Sequence, residues 1–157
     1  MTKKIFVGNV PVGGGERVKI QSMTTAKTSD VPAVLKQINA LANAGCDIVR
    51  VAVPDEAAAR AVREIKAASP LPVVADIHFS ARLAVLAIEN GADKVRINPG
   101  NIGGEDKIAL VADCVKAHRI PVRVGANTGS IEKGFLEKYG KNEFSLVESA
   151  LYNVGIL

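Results

Sequence analysis

The fold of this chain is decided by an eight-residue pattern that occurs twice, as Ala44-Gly-Cys-Asp-Ile-Val-Arg-Val51 and again as Asn90-Gly-Ala-Asp-Lys-Val-Arg-Ile97. In each copy a glycine follows an amphipathic segment and precedes a β-branched run that holds an arginine. Glycine in that place is typical of a helix C-terminus, and the β-branched run is typical of a buried strand. The repeat therefore predicts a unit in which a helix ends, the chain turns tightly and a strand begins.

Outward from this repeat, short apolar runs alternate with helical patterns along the chain. The predicted strands are Arg17–Gln21, Asp47–Val53, Val73–Ile77, Lys94–Asn98 and Val122–Val124. The predicted helices lie near Val31–Ala44, Glu56–Ala68, Arg82–Asn90, Glu105–His118 and Glu143–Val154. The first three helices have N-cap candidates in Asp30 or Ser29, Asp55 and Ser80. This alternation predicts a parallel sheet of right-handed βα units.

Two parallel architectures, an open doubly wound sheet and a closed barrel, have this order of elements. No G-x-G-x-x-G follows the first strand, which counts against the dinucleotide-binding open sheet. Polar residues instead recur at the C-terminal ends of successive strands, as they do in barrels, where all βα loops face one mouth. We therefore predict an α/β fold in which parallel βα repeats form the first five units of a TIM (β/α)8 barrel.

The segment ahead of the barrel strands is predicted to be a short N-terminal β-hairpin. It covers Ile5–Val12 and is followed by three consecutive glycines. We divide the chain into a hairpin cap over residues 1–16, at the bottom of the barrel, and a partial substrate-binding barrel over residues 17–157.

Composition narrows the class of partner. The chain has 157 residues, of which 48% are apolar, enough for one domain with a core. A net charge of +4 favours anionic partners, but four Phe, two Tyr and no Trp favour small anions over nucleic acid. The sequence shows neither a membrane span nor a signal peptide, so we expect a cytoplasmic protein. Cys46 and Cys114 are far apart and lack C-x-x-C spacing, so we expect no metal site within the chain.

Three arginines lie inside otherwise apolar strands, namely Arg50, Arg96 and Arg123. The pattern indicates three buried cations at one register of the sheet. An internal carboxylate can neutralise one such arginine, but Asp76 alone cannot balance three. A bound polyanion can, because the planar guanidinium donates paired hydrogen bonds to phosphate oxygens.

Asparagines and glycines flank two of these arginines. Residues two apart in a strand share a face, so Asn98 accompanies Arg96, and Asn127 accompanies Arg123. Both asparagines lie in glycine-rich loops, whose backbone N–H groups can approach phosphate closely. The loops strengthen the prediction of an anion site.

A histidine ends the third predicted strand. His78 shares a face with Asp76, which could orient it to bond a substrate hydroxyl or to shuttle a proton. A histidine that is merely hydrogen-bonded in the loop is the alternative.

Six segments carry a resemblance to a known family: Val7-Gly-Asn-Val-Pro-Val-Gly-Gly, Ile20-Gln-Ser-Met-Thr, Ala44-Gly-Cys-Asp-Ile-Val-Arg-Val-Ala-Val-Pro, Ala75-Asp-Ile-His-Phe, Val95-Arg-Ile-Asn-Pro-Gly-Asn-Ile-Gly and Val122-Arg-Val-Gly-Ala-Asn-Thr-Gly-Ser-Ile-Glu-Lys. With them the chain resembles the 4-hydroxy-3-methylbut-2-enyl diphosphate synthase family, in order and from Val7 to Leu157. The resemblance implies an oxidoreductase of non-mevalonate isoprenoid biosynthesis, which converts 2-C-methyl-D-erythritol 2,4-cyclodiphosphate by reductive dehydration. It implies diphosphate-binding roles for Arg50, Arg96, Arg123, Asn127 and Asn98, and supporting or proton-handling roles for Asp76 and His78.

The resemblance also implies a cofactor that this chain does not hold. In the family, flavodoxin or ferredoxin reduces a 4Fe–4S cluster, whose three cysteines and one glutamate belong to a C-terminal domain. Cys46 and Cys114 match none of these ligands, so we expect the isolated chain to bind no cluster and to be inactive alone. The family's active site closes between two subunits, which implies a homo-oligomer.

Two alternatives from other classes stay open at this point. One is a phosphate-ligand barrel of the dihydropteroate-synthase type, a transferase that also needs basic strand ends. The other is a non-catalytic module for diphosphate binding or assembly.

Overall fold

The computed structural model describes residues 2–157. The strands are β1 (Ile5–Val7), β2 (Val10–Val12), β3 (Gln21–Met23), β4 (Ile48–Ala52), β5 (Val73–Ile77), β6 (Lys94–Ile97) and β7 (Val122–Val124). The helices are α1 (Val31–Asn43), α2 (Glu56–Ala68), α3 (Ala81–Glu89), α4 (Pro99–Ile102), α5 (Glu105–His118), α6 (Lys133–Tyr139) and α7 (Glu143–Ile156). Strands β1 and β2 form an antiparallel hairpin, and β3 to β7 form one parallel sheet in chain order. The predicted α/β class, parallel βα units and N-terminal hairpin are confirmed.

Most predicted element boundaries agree with the structure. Four ranges match residue for residue: Val73–Ile77, Val122–Val124, Glu56–Ala68 and Glu105–His118. Most of the others differ by one or two residues at an end. The short helices α4 and α6 were not predicted, because four and seven residues are too few to show a helical period.

The predicted first strand, Arg17–Gln21, is wrong. Pairing with β4 begins only at Gln21, opposite Ile48. Before that point the Asp47 carboxylate accepts hydrogen bonds from the Arg17 guanidinium and from the backbone N–H of Ile20. The carbonyl oxygen of Ile20 accepts hydrogen bonds from the N–H groups of Asp47 and Ile48, but residues 17–19 are held by the Asp47 side chain, so the strand itself is Gln21–Met23.

The predicted N-caps are in place. Asp30 accepts a hydrogen bond from the N–H of Ala33 at 3.2 Å, Asp55 from Ala58 at 2.8 Å, and Ser80 from Leu83 at 3.3 Å. Each bond satisfies an N–H that has no partner inside its helix. The caps fix where α1, α2 and α3 start, and so set the length of the loops that follow β3, β4 and β5.

The two faces of the parallel sheet differ in chemistry. The outer face packs against the helices through fully buried side chains: Val49, Val51, Val73, Ala75, Ile77, Val95 and Ile97. The opposite side, called the inner face here, carries the alternate residues Gln21, Met23, Ile48, Arg50, Val74, Asp76, Lys94, Arg96 and Arg123. Apolar burial thus stabilises the sheet from the helix side, and the polar groups are concentrated on the inner face.

The hairpin covers one end of the inner face. Val7 is fully buried against Ile48 and Val74, and Val10 and Val12 pack beside it. This small apolar cluster covers the N-terminal half of the inner face. Asp76, Arg96 and Arg123 lie beyond this cluster, toward the C-terminal ends of their strands, and Arg50 and Lys94 are at the level of Val74.

None of the helices within residues 2–157 has the length and apolarity needed to cross a membrane.

Candidate anion-binding site

Asp76 is the centre of the polar cluster on the inner face. It lies on β5, and only 1% of its surface is exposed. Its Oδ1 accepts a hydrogen bond from Nη1 of Arg96 at 3.2 Å. Its Oδ2 lies 3.3 Å from Nη2 of Arg50 and 3.3 Å from Nε2 of His78. One buried carboxylate therefore holds two arginines and one histidine.

The prediction that the three arginines share one register is only partly right. Arg96 and Arg123 are direct partners across β6 and β7, and Arg96 is opposite Asp76. Arg50 instead pairs with Val74, two residues nearer the N-terminal end. Neighbouring strands of a curved sheet are staggered, so similar sequence spacing does not give equal height. The long side chain of Arg50 spans this offset and still reaches Asp76.

The prediction of three buried cations also needs correction. Arg50 and Arg96 are half-buried, with 27% and 19% of their side-chain surface exposed. Arg123 is exposed, because β7 is the outer strand of the sheet in residues 2–157. Within that range Arg123 forms no ion pair, so it can bind an anion at no loss of an internal contact.

The two carboxylates that precede strands β4 and β6 form ion pairs at the opposite end of the sheet. Asp47 is paired with Arg17, and Asp93 lies 2.7 Å from the Nζ of Lys66. Asp93 also accepts a hydrogen bond from the N–H of Val73. These groups leave Asp76 as the carboxylate that faces the inner arginines.

Sequence reasoning missed one inner-face cation, Lys94. It lies on β6 two residues before Arg96 and opposite Val74, so it shares their face. Burial, and secondly the charge of Arg123, lower the pKa of Lys94. The period-two rule that placed Arg96 could also have identified Lys94. The inner face of the described chain then holds four cations, Arg50, Lys94, Arg96 and Arg123, of which Arg50 and Arg96 contact the buried Asp76 carboxylate.

The two asparagines occupy different settings. Asn98 is buried and precedes α4, but its side chain makes no capping hydrogen bond. Asn127 is exposed, and its Oδ1 accepts a hydrogen bond from the N–H of Gly129 at 2.9 Å. Asn98 thus follows the Arg96 strand as a buried residue, whereas the side-chain oxygen of Asn127 is engaged within its own loop.

The helix that follows Asn98 touches the loop that carries Asn127. A Cβ built on Gly100 would lie 2.0 Å from the carbonyl oxygen of Ser130. Ser130 is buried, and its Oγ donates to the carbonyl oxygen of Asn127 at 3.1 Å. Gly100 thus allows the short helix α4 to lie against the β7–α6 loop at the C-terminal end of the sheet.

The cysteines do not fit an iron–sulfur cluster. Cys46 is buried, with its Sγ 3.1 Å from the carbonyl oxygen of Ile48. Cys114 lies on α5, where burial, and secondly Glu89, raise the pKa of its thiol. In the described part of the chain no three His, Cys, Asp or Glu side chains are grouped to hold a metal. Such clusters usually take four ligands, mostly cysteine thiolates.

Five parallel βα units in chain order, with polar side chains near the C-terminal ends of the strands, define an α/β protein of the barrel type. A family model described as the GcpE TIM-barrel domain matches residues 2–157. The chain belongs to this family.

Curated relatives agree with this assignment. The chain is 53% identical to 4-hydroxy-3-methylbut-2-en-1-yl diphosphate synthase (flavodoxin) of Caldicellulosiruptor saccharolyticus, covering 100% of this chain and 46% of the relative. It is 54% identical to the proteins of the same name from Anoxybacillus flavithermus and Wolinella succinogenes, covering 99% of this chain and 43% of each relative. The chain therefore spans less than half the length of these relatives.

A solved structure shares the fold. Dihydropteroate synthase from Xanthomonas albilineans, in complex with 7,8-dihydropteroate, superposes with a TM-score of 0.64 over 98% of this chain and 61% of that one. The sequences are 16% identical, so the likeness extends to the fold alone.

Proposed function

We propose that this chain is the substrate-binding barrel of a 4-hydroxy-3-methylbut-2-enyl diphosphate synthase. Its ligand is 2-C-methyl-D-erythritol 2,4-cyclodiphosphate, which the enzyme converts by reductive dehydration. The observation that carries the proposal is the excess of cations on the inner face, where Arg50, Lys94, Arg96 and Arg123 share one face with the single carboxylate Asp76, which contacts Arg50 and Arg96. A diphosphate group supplies the negative charge that this face lacks.

In this proposal the arginines bind and orient the diphosphate. Arg96 and Arg123 are side by side, so their guanidinium groups can donate paired hydrogen bonds to neighbouring phosphate oxygens. Asp76 holds Arg50 and Arg96 in place before the ligand arrives, which lowers the entropy lost on binding. The amides of Asn98 and Asn127 donate to the remaining oxygens.

His78 is proposed to handle a proton at the hydroxyl side of the substrate. Its ring is exposed at the end of β5, and its Nε2 is 3.3 Å from Asp76. A carboxylate in that position orients the imidazole.

The reduction itself is not assigned to this chain. In the proposed enzyme a 4Fe–4S cluster supplies electrons received from flavodoxin or ferredoxin. Cys46 and Cys114 do not fit such a cluster, so we assign no step of the reduction to residues 2–157. We propose that the chain alone binds the substrate without turning it over.

We further propose that the protein is a homo-oligomer, because helix α7 presents an apolar surface to solvent. It buries Ser145, Ser149 and Asn153, each at most 3% exposed. The apolar side chains lie on its outer surface, with more than half of each exposed: Phe144, Val147, Leu151 and Val154. Apolar patches of this kind commonly mark a protein interface.

Isothermal titration of the purified chain with the cyclodiphosphate, and with inorganic diphosphate, tests the proposal. We expect Arg96→Ala and Arg123→Ala each to weaken binding about 10- to 100-fold, because each removes charge-assisted hydrogen bonds. Lys36→Ala, which removes an exposed helix cation, is the control and should bind normally. Absence of binding by the wild-type chain, or equal affinity in all variants, would contradict the diphosphate assignment.

A further inference from the structure

The guanidinium of Arg96 lies directly over Gly125, the residue that follows β7. A Cβ built on Gly125 would lie 2.6 Å from Nη2, 2.7 Å from Nε and 2.9 Å from Cζ of Arg96. Real Cβ atoms do not approach other atoms this closely. The guanidinium in its present position therefore requires glycine at position 125.

Backbone conformation does not explain this glycine. Eight glycines of the described chain have positive φ, which L side chains rarely adopt, and Gly125 is not among them. Its N–H donates an ordinary 2.8 Å hydrogen bond to the carbonyl oxygen of Ile97, continuing the β6–β7 pairing. An alanine could take the same backbone conformation, so the space above the Cα is what the glycine provides.

The two edges of the Arg96 guanidinium have different environments. Nη1 is bound by Asp76 at 3.2 Å. Nε and Nη2, the pair of donors best arranged for a bidentate bond to an oxyanion, have no hydrogen-bond partner within residues 2–157. These are the two atoms that a side chain at position 125 would displace.

We propose that Gly125 is a positioning residue: because it has no Cβ, the Arg96 guanidinium can stay in its present position, with its free Nε–Nη2 edge available to donate two hydrogen bonds to a phosphate group. Asp76 fixes one edge of the guanidinium, and the bare Cα of Gly125 supports the other. This inference rests on the proposed diphosphate-binding function and adds to it a residue that does not itself bind the ligand through a side chain.

The contact predicts a specific effect of Gly125→Ala. The overlap involves only the end of a flexible side chain, so the fold can accept the methyl group while Arg96 tilts away. Displacement of a binding group by about 1 Å can cost as much as 100-fold in function, and we expect a loss of about 10-fold or more in diphosphate affinity. By contrast, Gly100→Ala would meet the backbone of Ser130 and should lower the stability of the fold.

A double-mutant cycle tests the inference by titrating inorganic diphosphate into wild type, Gly125→Ala, Arg96→Ala and the double variant. Gly134→Ala is the matched control, because a Cβ on Gly134 meets nothing within 4 Å. We expect Gly125→Ala to weaken binding in the wild-type background and to change nothing further once Arg96 is absent. Thermal unfolding monitored by circular dichroism should give the same midpoint for wild type and Gly125→Ala.

Two results would overturn the positioning role. One is wild-type affinity in Gly125→Ala, and the other is an equal loss in both backgrounds, which would mean that Gly125 makes room for the ligand itself. A wild-type chain that does not bind diphosphate would refute the proposed function instead. In that case a crystal structure of Gly125→Ala still decides the inference, since an unmoved Arg96 guanidinium would refute it.

Discussion

At the scale of single residues, Asp76 is the group that organises the proposed anion site on the inner face. It is almost fully buried and is shared by Arg50, Arg96 and His78. A buried charge is tolerated when it is paired, so Asp76 offsets part of the positive charge and leaves the remainder for a ligand. The site is preorganised by one carboxylate but is not neutralised by it.

Lys94 gives a pH-dependent prediction at this scale. Burial and Arg123 lower its pKa from the ordinary 10.5, so its charge destabilises the folded chain below the lowered pKa. As pH rises from that pKa toward 10.5, the unfolded chain binds more protons than the folded one, and the penalty is relieved. We therefore expect Lys94→Met to raise the free energy of unfolding at pH 7, and the gain to shrink toward pH 10.

Urea denaturation of wild type and Lys94→Met across this pH range measures the effect. Lys36→Met, at an exposed helix position, is the control and should show no such trend. If the difference in free energy of unfolding between wild type and Lys94→Met stays constant from pH 7 to pH 10, the charge of Lys94 does not destabilise the folded chain as proposed.

The residues of the site show how much of its arrangement the alternation of side chains along a strand could predict. It placed Arg96, Asn98 and Asp76 near one another, because a strand repeats its facing every two residues. It could not show that Arg50 lies two residues nearer the N-terminal end of the sheet than Arg96. The stagger between strands depends on the curvature of the whole sheet. Nor could alternation show that the oxygen of Asn127 is bonded within its own loop.

At the scale of elements, helix capping gives a second prediction. Asp55 accepts the N–H of Ala58 at 2.8 Å and starts α2, the helix after the Arg50 strand. We expect Asp55→Ala to lower the free energy of unfolding by about 1 kcal/mol, because an N–H of the first turn loses its acceptor. Asp55→Ser should retain most of the stability. Thermal or urea denaturation checks both, and equal loss in the two variants would argue against capping as the cause.

Helices and strands were predicted correctly where the periodic pattern of apolar residues continued over several turns. The prediction failed where a side-chain interaction determined the local structure instead. Helices α2 and α5 were predicted residue for residue, because each spans more than three turns and has clear ends. The first strand was misplaced because Asp47 binds the segment before Gln21 through its side chain. Sequence pattern shows apolar spacing but does not show which backbone groups a distant carboxylate will bind.

At the scale of the whole molecule, the proposed homo-oligomer predicts concentration-dependent association. Within residues 2–157, β3 and β7 each have one edge without a neighbouring strand, and α7 exposes Val147 and Leu151. We expect light scattering to show growth in mass from low to high micromolar concentration. Leu151→Lys should reduce this growth if α7 forms the interface. A monodisperse monomer of wild type at high micromolar concentration would refute self-association.

The opposed chemistry of the two sheet faces has an evolutionary consequence. Val49, Val73 and Val95 pack in the core beneath the helices, and the alternate positions in the same strands carry the side chains that we propose bind the ligand. A lineage can therefore exchange inner-face side chains for a new substrate while the aliphatic layer beneath the helices keeps the scaffold intact. A dihydropteroate synthase that is 16% identical in sequence has the same fold.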